Sequence, residues 1–360
     1  MILTVSMLAV GLLCAMLLFA RTPRLEKSGA DARRAVSVVI PARNEEKTLP
    51  LILADLAKQK DDLLETIVVD DGSSDNTYAV AESFGCKTLR VTDKPAGWTG
   101  KSFACQTGAD AAQGSLLLFL DADVRLSPGA VAGLRNSWAK NQRTVSVCPY
   151  HRTGRPVESL SLFFNLLMVA ANALSPFFSR RSIGLFGPVI LISREDYGAV
   201  NGHAGARESI VDDLALGEQL KTRGLGFDLY AGGDDISYRM YAGGLRELFR
   251  GWVKNIATGA SKTSVTVVVM AVLWIGALIS APLNLCFQAF GRSWQGVAIY
   301  GVFYIAFVLH LFLFTRKIGR FHILATLFYP LPLLFFLIVF AVSVFKKIFR
   351  LKAVWKGRKI

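Results

Sequence analysis

Leu116-Leu117-Leu118-Phe119-Leu120-Asp121-Ala122-Asp123 is a run of five apolar residues that ends on two carboxylates spaced two apart. An unbroken apolar run of this length, bounded by a charged turn, reads as a strand buried on both faces, as in a parallel sheet. The pattern recurs upstream. Residues 36–41 form a short β-rich run closed by Pro41, and residues 66–69 form another that runs into Asp70-Asp71-Gly72-Ser73-Ser74-Asp75. Residues 88–91 make a further strand, while 45–58, 75–84 and 101–113 read as helices. Strands alternating with helices predict an α/β fold around a mostly parallel, Rossmann-like sheet. Ligands of such sheets bind beyond the carboxyl ends of the strands, where both acidic clusters fall.

The rest of the chain is apolar and basic. Of 360 residues 52% are hydrophobic, and 41 Lys and Arg against 27 Asp and Glu leave a net charge of +14. The mean hydropathy is +0.40. This combination suits a membrane protein whose wet surfaces face anionic lipid or a phosphorylated substrate. The basic residues cluster beside apolar runs, so no nucleic-acid partner is expected. The five cysteines form no CxxC pair, which argues against a disulfide framework or zinc site and fits a reducing compartment.

Residues 2–20 carry no charge and precede Arg21 and Arg24, the pattern of a spanning anchor with its basic end inside. The expected organisation is a transmembrane anchor (1–20), a basic linker (21–35), a soluble α/β domain (36–255), C-terminal transmembrane segments (265–345) and a basic tail (346–360). Three apolar runs, 265–290, about 297–314 and 321–345, exceed the ~17 residues that cross a bilayer core. The linker puts the soluble domain in the cytosol, yet three further crossings would put the basic tail outside. Tyr329-Pro330-Leu331-Pro332 offers a resolution by breaking the last run into a re-entrant hairpin. A multi-pass protein of the cell membrane is therefore expected. Residues 157–178 are expected to lie along the membrane surface, with Glu158, Asn165 and Asn172 on one face and Arg180 and Arg181 near headgroups. A packed core helix is the alternative.

Several clusters bear chemistry. Asp121 and Asp123 suit a divalent metal that neutralises a diphosphate leaving group. Asp70 and Asp71 suit the N–H of a uracil ring or the hydroxyls of a ribose, with Asp75 placed to cap the next helix. Asp212 and Asp213 open a helix, where acids compensate the dipole or, in the functional reading, supply a general base. Glu247-Leu248-Phe249-Arg250-Gly251-Trp252 pairs a cation for diphosphate with an indole for an acceptor, or else forms an interfacial belt. His203 lacks a second ligand and is expected near the acceptor, not at a metal.

In this order, DDGS, DAD, DD and RGW before apolar spans, the sequence resembles the family 2 glycosyltransferases of the GT-A fold. Ile40-Pro41-Ala42-Arg43-Asn44-Glu45-Glu46, Gly97-Trp98-Thr99-Gly100-Lys101, Phe186-Gly187-Pro188-Val189, Arg239-Met240-Tyr241, Gly251-Trp252-Val253-Lys254-Asn255 and Trp355-Lys356-Gly357-Arg358 resemble the 4,4'-diaponeurosporenoate glycosyltransferase branch of carotenoid synthesis. Hopanoid-associated glycosyltransferases share parts of the set. The resemblance implies an inverting hexosyltransferase that moves a hexose, glucose foremost, from a UDP-sugar to a lipid-soluble acceptor such as a carotenoid acid. It implies donor contacts from Pro41, Glu45, Asp70, Asp71, Lys101 and Asp121, and Mg2+ or Mn2+ held by Asp123 with Asp121. Lys101 reads equally as a solvent-facing residue at a helix start. Asp213 would be the base beside Asp212, which stands where the family has Glu. Arg250 and Trp252 fall where the family has QxxRW, with Glu247 in place of Gln and Gly251 inserted. An ionised carboxylate acceptor needs no base, which favours a hydroxyl, whereas the resemblance favours the carotenoid acid. Other acceptors (a hopanoid, glycerolipid or polyprenyl phosphate) and a non-catalytic nucleotide-sugar receptor are the competing readings.

Overall fold

The computed structural model describes residues 1–20, 22–28, 34–172, 174, 182–207, 209 and 211–349, with backbone alone at 254–262, 354–355 and 358–359. The expected surface positions Arg180 and Arg181, the end of the 157–178 stretch and residues 350–353, 356–357 and 360 of the basic tail lie outside the described residues. Apart from short 3-10 turns, the chain opens with α1 (Ile2–Leu18), β1 (Val36–Ala42), α2 (Leu49–Ala57), β2 (Glu65–Asp70), α3 (Thr77–Ser83), β3 (Lys87–Arg90), α4 (Gly100–Ala111) and β4 (Leu116–Leu120). It continues through β5 (Val124–Leu126), α5 (Ala130–Asn141), β6 (Thr144–Cys148), β7 (Tyr150–Arg152), α6 (Leu162–Ala171), β8 (Val189–Ser193), α7 (Arg194–Ala199), α8 (Asp212–Thr222), β9 (Phe227–Ala231) and β10 (Ile236–Tyr238). The remainder is α9 (Leu245–Lys262), α10 (Val265–Phe290), α11 (Trp294–Ile318), β11 (Gly319–Arg320), α12 (Ile323–Leu327) and α13 (Pro330–Ile348).

Two compact units result. One joins Pro23–Tyr150 to Gly184–Arg239, and the other joins Met1–Thr22, His151–Ile183 and Met240–Ile360. The first unit holds a seven-stranded sheet in the order β3-β2-β1-β4-β8-β6-β9. Its strands pair in parallel except that β8 runs antiparallel to both β4 and β6. Alternate side chains explain the unbroken apolar runs. Val38, Ile40, Val68 and Leu118 pack on one face with Leu53 of α2 and Leu134 of α5. Val39, Ile67, Val69 and Phe119 pack on the other with Ala104 of α4 and Leu216 and Leu220 of α8. Both faces are covered, so neither phase of the period-2 pattern is polar.

The strands lie where the sequence predicts them to within a residue, whereas two helices begin later. Pro50 in the first turn of α2 sets its start at Leu49 rather than at residue 45. α3 starts at Thr77 because Asp75 is spent on loop contacts. Its Oδ1 accepts the Thr77 N–H at 3.0 Å and its Oδ2 the Glu46 N–H at 3.2 Å.

In the second unit α1 runs beside α10, with Gly11 set so close to Ala277 that a Cβ at Gly11 would collide with it. Phe19 meets Trp274 edge-on at 5.0 Å. Three helices, α10, α11 and α13, are long and apolar enough to cross a membrane, and α1 is a shorter apolar helix of 17 residues. The last apolar run is broken beside Tyr329-Pro330-Leu331-Pro332, where the sequence places a break. The break falls after α12, a helix of 5 residues, and Pro330 begins α13, which at 19 residues is of spanning length by itself. Proline at the first helical position starts a helix instead of interrupting one.

Residues 157–178 also depart from expectation, within their described part. α6 is buried on almost every side, including Leu162, Phe163, Phe164, Asn165, Leu166, Val169 and Ala170, so it is a packed core helix and not a surface one. A helix apolar all round gains most by full burial. The polar residues spaced seven apart serve the backbone. Glu158 accepts the Gly154 N–H at 2.8 Å, Asn165 donates to Ser161 O at 2.9 Å and Asn172 to Met168 O at 3.2 Å.

Candidate active site

A cavity in the first unit is lined by Pro41, Lys101, Cys105, Phe119, Leu120, Asp121, Gly187, Ile190, His203, Asp212 and Asp213. It sits beyond the carboxyl ends of β1 and β4, where a doubly wound sheet leaves backbone and side chains free to meet a ligand.

Asp121 follows β4 and forms an ion pair with Lys101 Nζ at 2.5 Å. Burial works against the Lys101 charge, but the Asp121 and Asp212 carboxylates hold the ammonium well above its ordinary range. Lys101 is thus paired with Asp121 at the cavity, with part of its side chain still open to solvent. Asp123 is half-buried. Burial, with Asp121 and Glu45 as like-charged neighbours, pushes its carboxyl up to about 7. Carboxylates crowded in this way favour a divalent cation, and an all-oxygen pair suits Mg2+ or Mn2+. Among the described residues there is no cluster of three protein ligands, so Asp121 and Asp123 would share a metal with donor phosphates or water.

Asp213 opens α8. Its Oδ2 accepts the Gly187 N–H at 2.8 Å and its Oδ1 the Leu214 N–H at 2.9 Å, which fixes the carboxylate plane. Burial and the neighbouring Asp212 raise it from 3.8 to about 6, in spite of those bonds. Asp212 is buried and lies 3.4 Å from Ser102 Oγ, the hydroxyl donating.

Asp70 and Asp71 close β2 and divide the work. Asp70 Oδ1 accepts the Ser73 N–H at 3.0 Å and its Oδ2 lies 3.5 Å from Arg90 Nε, so it shapes the turn. Asp71 lies 3.5 Å from Arg43 Nη1 and abuts Gly100, where a Cβ would collide with its carboxylate. Glu45 donates its N–H to nothing in the cavity; that group is bonded to Thr77 Oγ1 at 2.7 Å, and its carboxylate accepts the Thr48 hydroxyl.

Arg250 and Trp252 belong to the second unit. Arg250 is exposed on α9. Trp252 is buried, stacked on Phe164 at 4.6 Å, with its indole N–H donated to Ser161 Oγ at 3.1 Å. The stacking partner of this indole is therefore the protein's own phenyl ring.

The glycosyl transferase family 2 profile matches residues 37–181. The 4,4'-diaponeurosporenoate glycosyltransferase of Staphylococcus aureus strain MRSA252 is 34% identical over 366 residues, covering 99% of this chain and 96% of that protein. The chain belongs to glycosyl transferase family 2. The same enzyme from strain USA300 matches at the same identity and coverage. In fold, this family 2 glycosyltransferase is similar to the mannosyltransferase PcManGT of Pyrobaculum calidifontis, solved with GDP-Man and Mn2+. The TM-score is 0.55 at 17% identity, over 97% of this chain and 98% of that one.

Reasoning from sequence passed over Gly187, although it stands in the quoted Phe186-Gly187-Pro188-Val189 motif. The reason for glycine is steric, since a Cβ there would lie 2.8 Å from Asp213 Oδ2. Gly187→Ala is expected to displace the Asp213 carboxylate and lower turnover about 10- to 100-fold, with nucleotide affinity unchanged, as initial rates and calorimetry would show.

Proposed function

We propose that this glycosyltransferase moves a hexose, glucose in the first instance, from a UDP-sugar to a membrane-dissolved carotenoid acid of the 4,4'-diaponeurosporenoate type. The observation that carries the reading is the Asp213 carboxylate, aimed by the Gly187 N–H into the cavity that Asp121 also lines. Relatedness over nearly the whole chain to enzymes named for that acceptor supports the branch. The three span-length helices support a membrane location, with the catalytic unit on the cytosolic side where nucleotide-sugars are made available.

Asp71, with Pro41, Glu45 and Asp70 around it, would receive the nucleoside; Lys101 and Asp121 would meet the diphosphate. Asp123, with Asp121, would hold Mg2+ or Mn2+, which when bound offsets charge on the departing diphosphate. The acceptor oxygen attacks the anomeric carbon in line with the leaving UDP, and the configuration inverts. Asp213 takes the acceptor's proton as the new bond forms. A carboxylic acid drawn out of water has a raised pKa, so a lipid-buried acid arrives partly protonated and, like a hydroxyl, has a proton to lose. Trp252, held by Phe164, would set the position of α9 within its own unit.

The test is incubation of detergent-solubilised protein with UDP-glucose, Mn2+ or Mg2+ and a lipid extract containing carotenoid acids, followed by mass spectrometry. A hexose-shifted carotenoid acid supports the reading. A hexose on a hopanoid, glycerolipid or polyprenyl phosphate instead would sink the acceptor assignment and keep the reaction.

A pH profile adds a second check. The base form of Asp213 is present above its raised pKa of about 6 and is lost as pH falls through it. Single-turnover rates are expected to fall about tenfold per unit below that point. A rate flat down to pH 5 contradicts the base role.

A further inference from the structure

His203 lines the same cavity as Lys101, Asp121, Asp212 and Asp213, and is only 3% exposed. Its Nδ1 lies 2.8 Å from the Tyr197 hydroxyl oxygen. That oxygen also accepts the His203 backbone N–H at 3.1 Å and lies 3.1 Å from Gln106 Oε1. The Gln106 amide is oriented by its own bonds: Oε1 accepts the Ala204 N–H at 3.1 Å and Nε2 donates to Asp110 Oδ1 at 2.8 Å.

These contacts settle the proton positions. Gln106 Oε1 can only accept, so the single Tyr197 hydroxyl proton goes to it; otherwise two lone-pair oxygens would face each other without a proton between them. The proton between Tyr197 and His203 then sits on Nδ1, and Nε2 carries a lone pair. Among the described residues no group donates to Nε2. Burial holds the ring down at about 4, against the pull of Asp212, so it is neutral at working pH.

Asp121 marks the diphosphate end of the cavity and Asp213 the acceptor end, so a transferred sugar spans the wall between them. We propose that His203 Nε2 accepts a hydrogen bond from one hydroxyl of that hexose and thereby helps select the nucleotide-sugar. The proposal rests on the UDP-hexose reading above. A buried acceptor built for a hydroxyl rejects a sugar that lacks the matching donor, because its lone pair is then left unpaired.

The test uses full-length solubilised protein with Mn2+, and calorimetry with UDP, UDP-glucose and the set of singly deoxyfluorinated UDP-glucoses. Fluorine replaces the hydroxyl in size but cannot donate. In the wild type one analogue is expected to bind about 10-fold more weakly than UDP-glucose, the worth of one such bond. In His203→Phe, UDP-glucose itself weakens by that factor, that analogue loses nothing further, and UDP affinity stays unchanged. Equal weakening of UDP and UDP-glucose in the variant points to a merely structural role and overturns the proposal. So does unchanged UDP-glucose affinity in the variant, or a wild type that binds every analogue alike. If His203→Phe does not fold, Tyr197→Phe carries the test, since freeing Nδ1 should shrink the same analogue's penalty; an undiminished penalty overturns the proposal. Wild-type protein that binds neither UDP nor UDP-glucose overturns the donor reading, and the proposal with it.

Discussion

Asp213→Asn is expected to lower the rate of hexose transfer by about 10²- to 10⁴-fold, the usual worth of a positioned base, while leaving the affinity for UDP-glucose within about twofold of wild type. The amide keeps the size of the carboxylate and can still accept the Gly187 N–H through its oxygen, so the local fold should persist. The capacity to take a proton is lost, together with the acceptor for the Leu214 N–H. Single-turnover kinetics beside calorimetric donor binding separates the two effects. Full transfer by this variant would remove Asp213 from the chemistry, whereas donor binding without transfer is the result a base predicts. With metal saturating, so that Asp123 stays ionised, the variant should also lose the fall in rate near pH 6.

Asp123→Ala is the second large effect. Removing the carboxylate should abolish the gain in UDP affinity that Mn2+ or Mg2+ confers and lower transfer by about 10²-fold or more, since metal neutralisation of a leaving diphosphate is worth several kcal/mol. The direct measurement is UDP binding with and without metal. Wild type should tighten on adding metal; the variant should bind equally weakly in both conditions. A variant that still tightens with metal would place the cation elsewhere. Asp121→Ala is a less clean probe, because it also releases Lys101 from its ion pair at 2.5 Å.

The order of elements in the catalytic unit was legible because a sheet covered on both faces writes itself as unbroken apolar runs, and because acids directly after such runs fall at the ligand-binding edge. Asp70, Asp71, Asp121 and Asp123 could be singled out in this way, and Asp212 and Asp213 as acids that open a helix. Their division of labour could not. Asp70 and Asp71 are adjacent and chemically identical, yet one is tied to Ser73 and Arg90 and the other meets Arg43. The antiparallel insertion of β8 between β4 and β6 also has no local signature, since an apolar strand reads alike in both directions.

The fate of α6 has the same cause. A heptad of polar residues in an apolar stretch looks like a wet face, but hydropathy does not say whether a polar side chain meets water or its own backbone. Neighbouring helices decided that, and Asn165 and Asn172 turned inward to carbonyls. Likewise an indole before a membrane span suits an acceptor as well as it suits a phenyl ring, and only packing brought Phe164 onto Trp252.

By itself the sequence determined the α/β class, the apolar helices and the carboxylates available for metal and proton chemistry, because these depend on composition and on spacing along one strand or helix. The tertiary structure alone decided that Gly187 aims Asp213, that Lys101 pairs with Asp121, and that Tyr197 orients His203. Each of these pairs joins residues from different loops or helices, and a contact between them exists only once the sheet has set their distance.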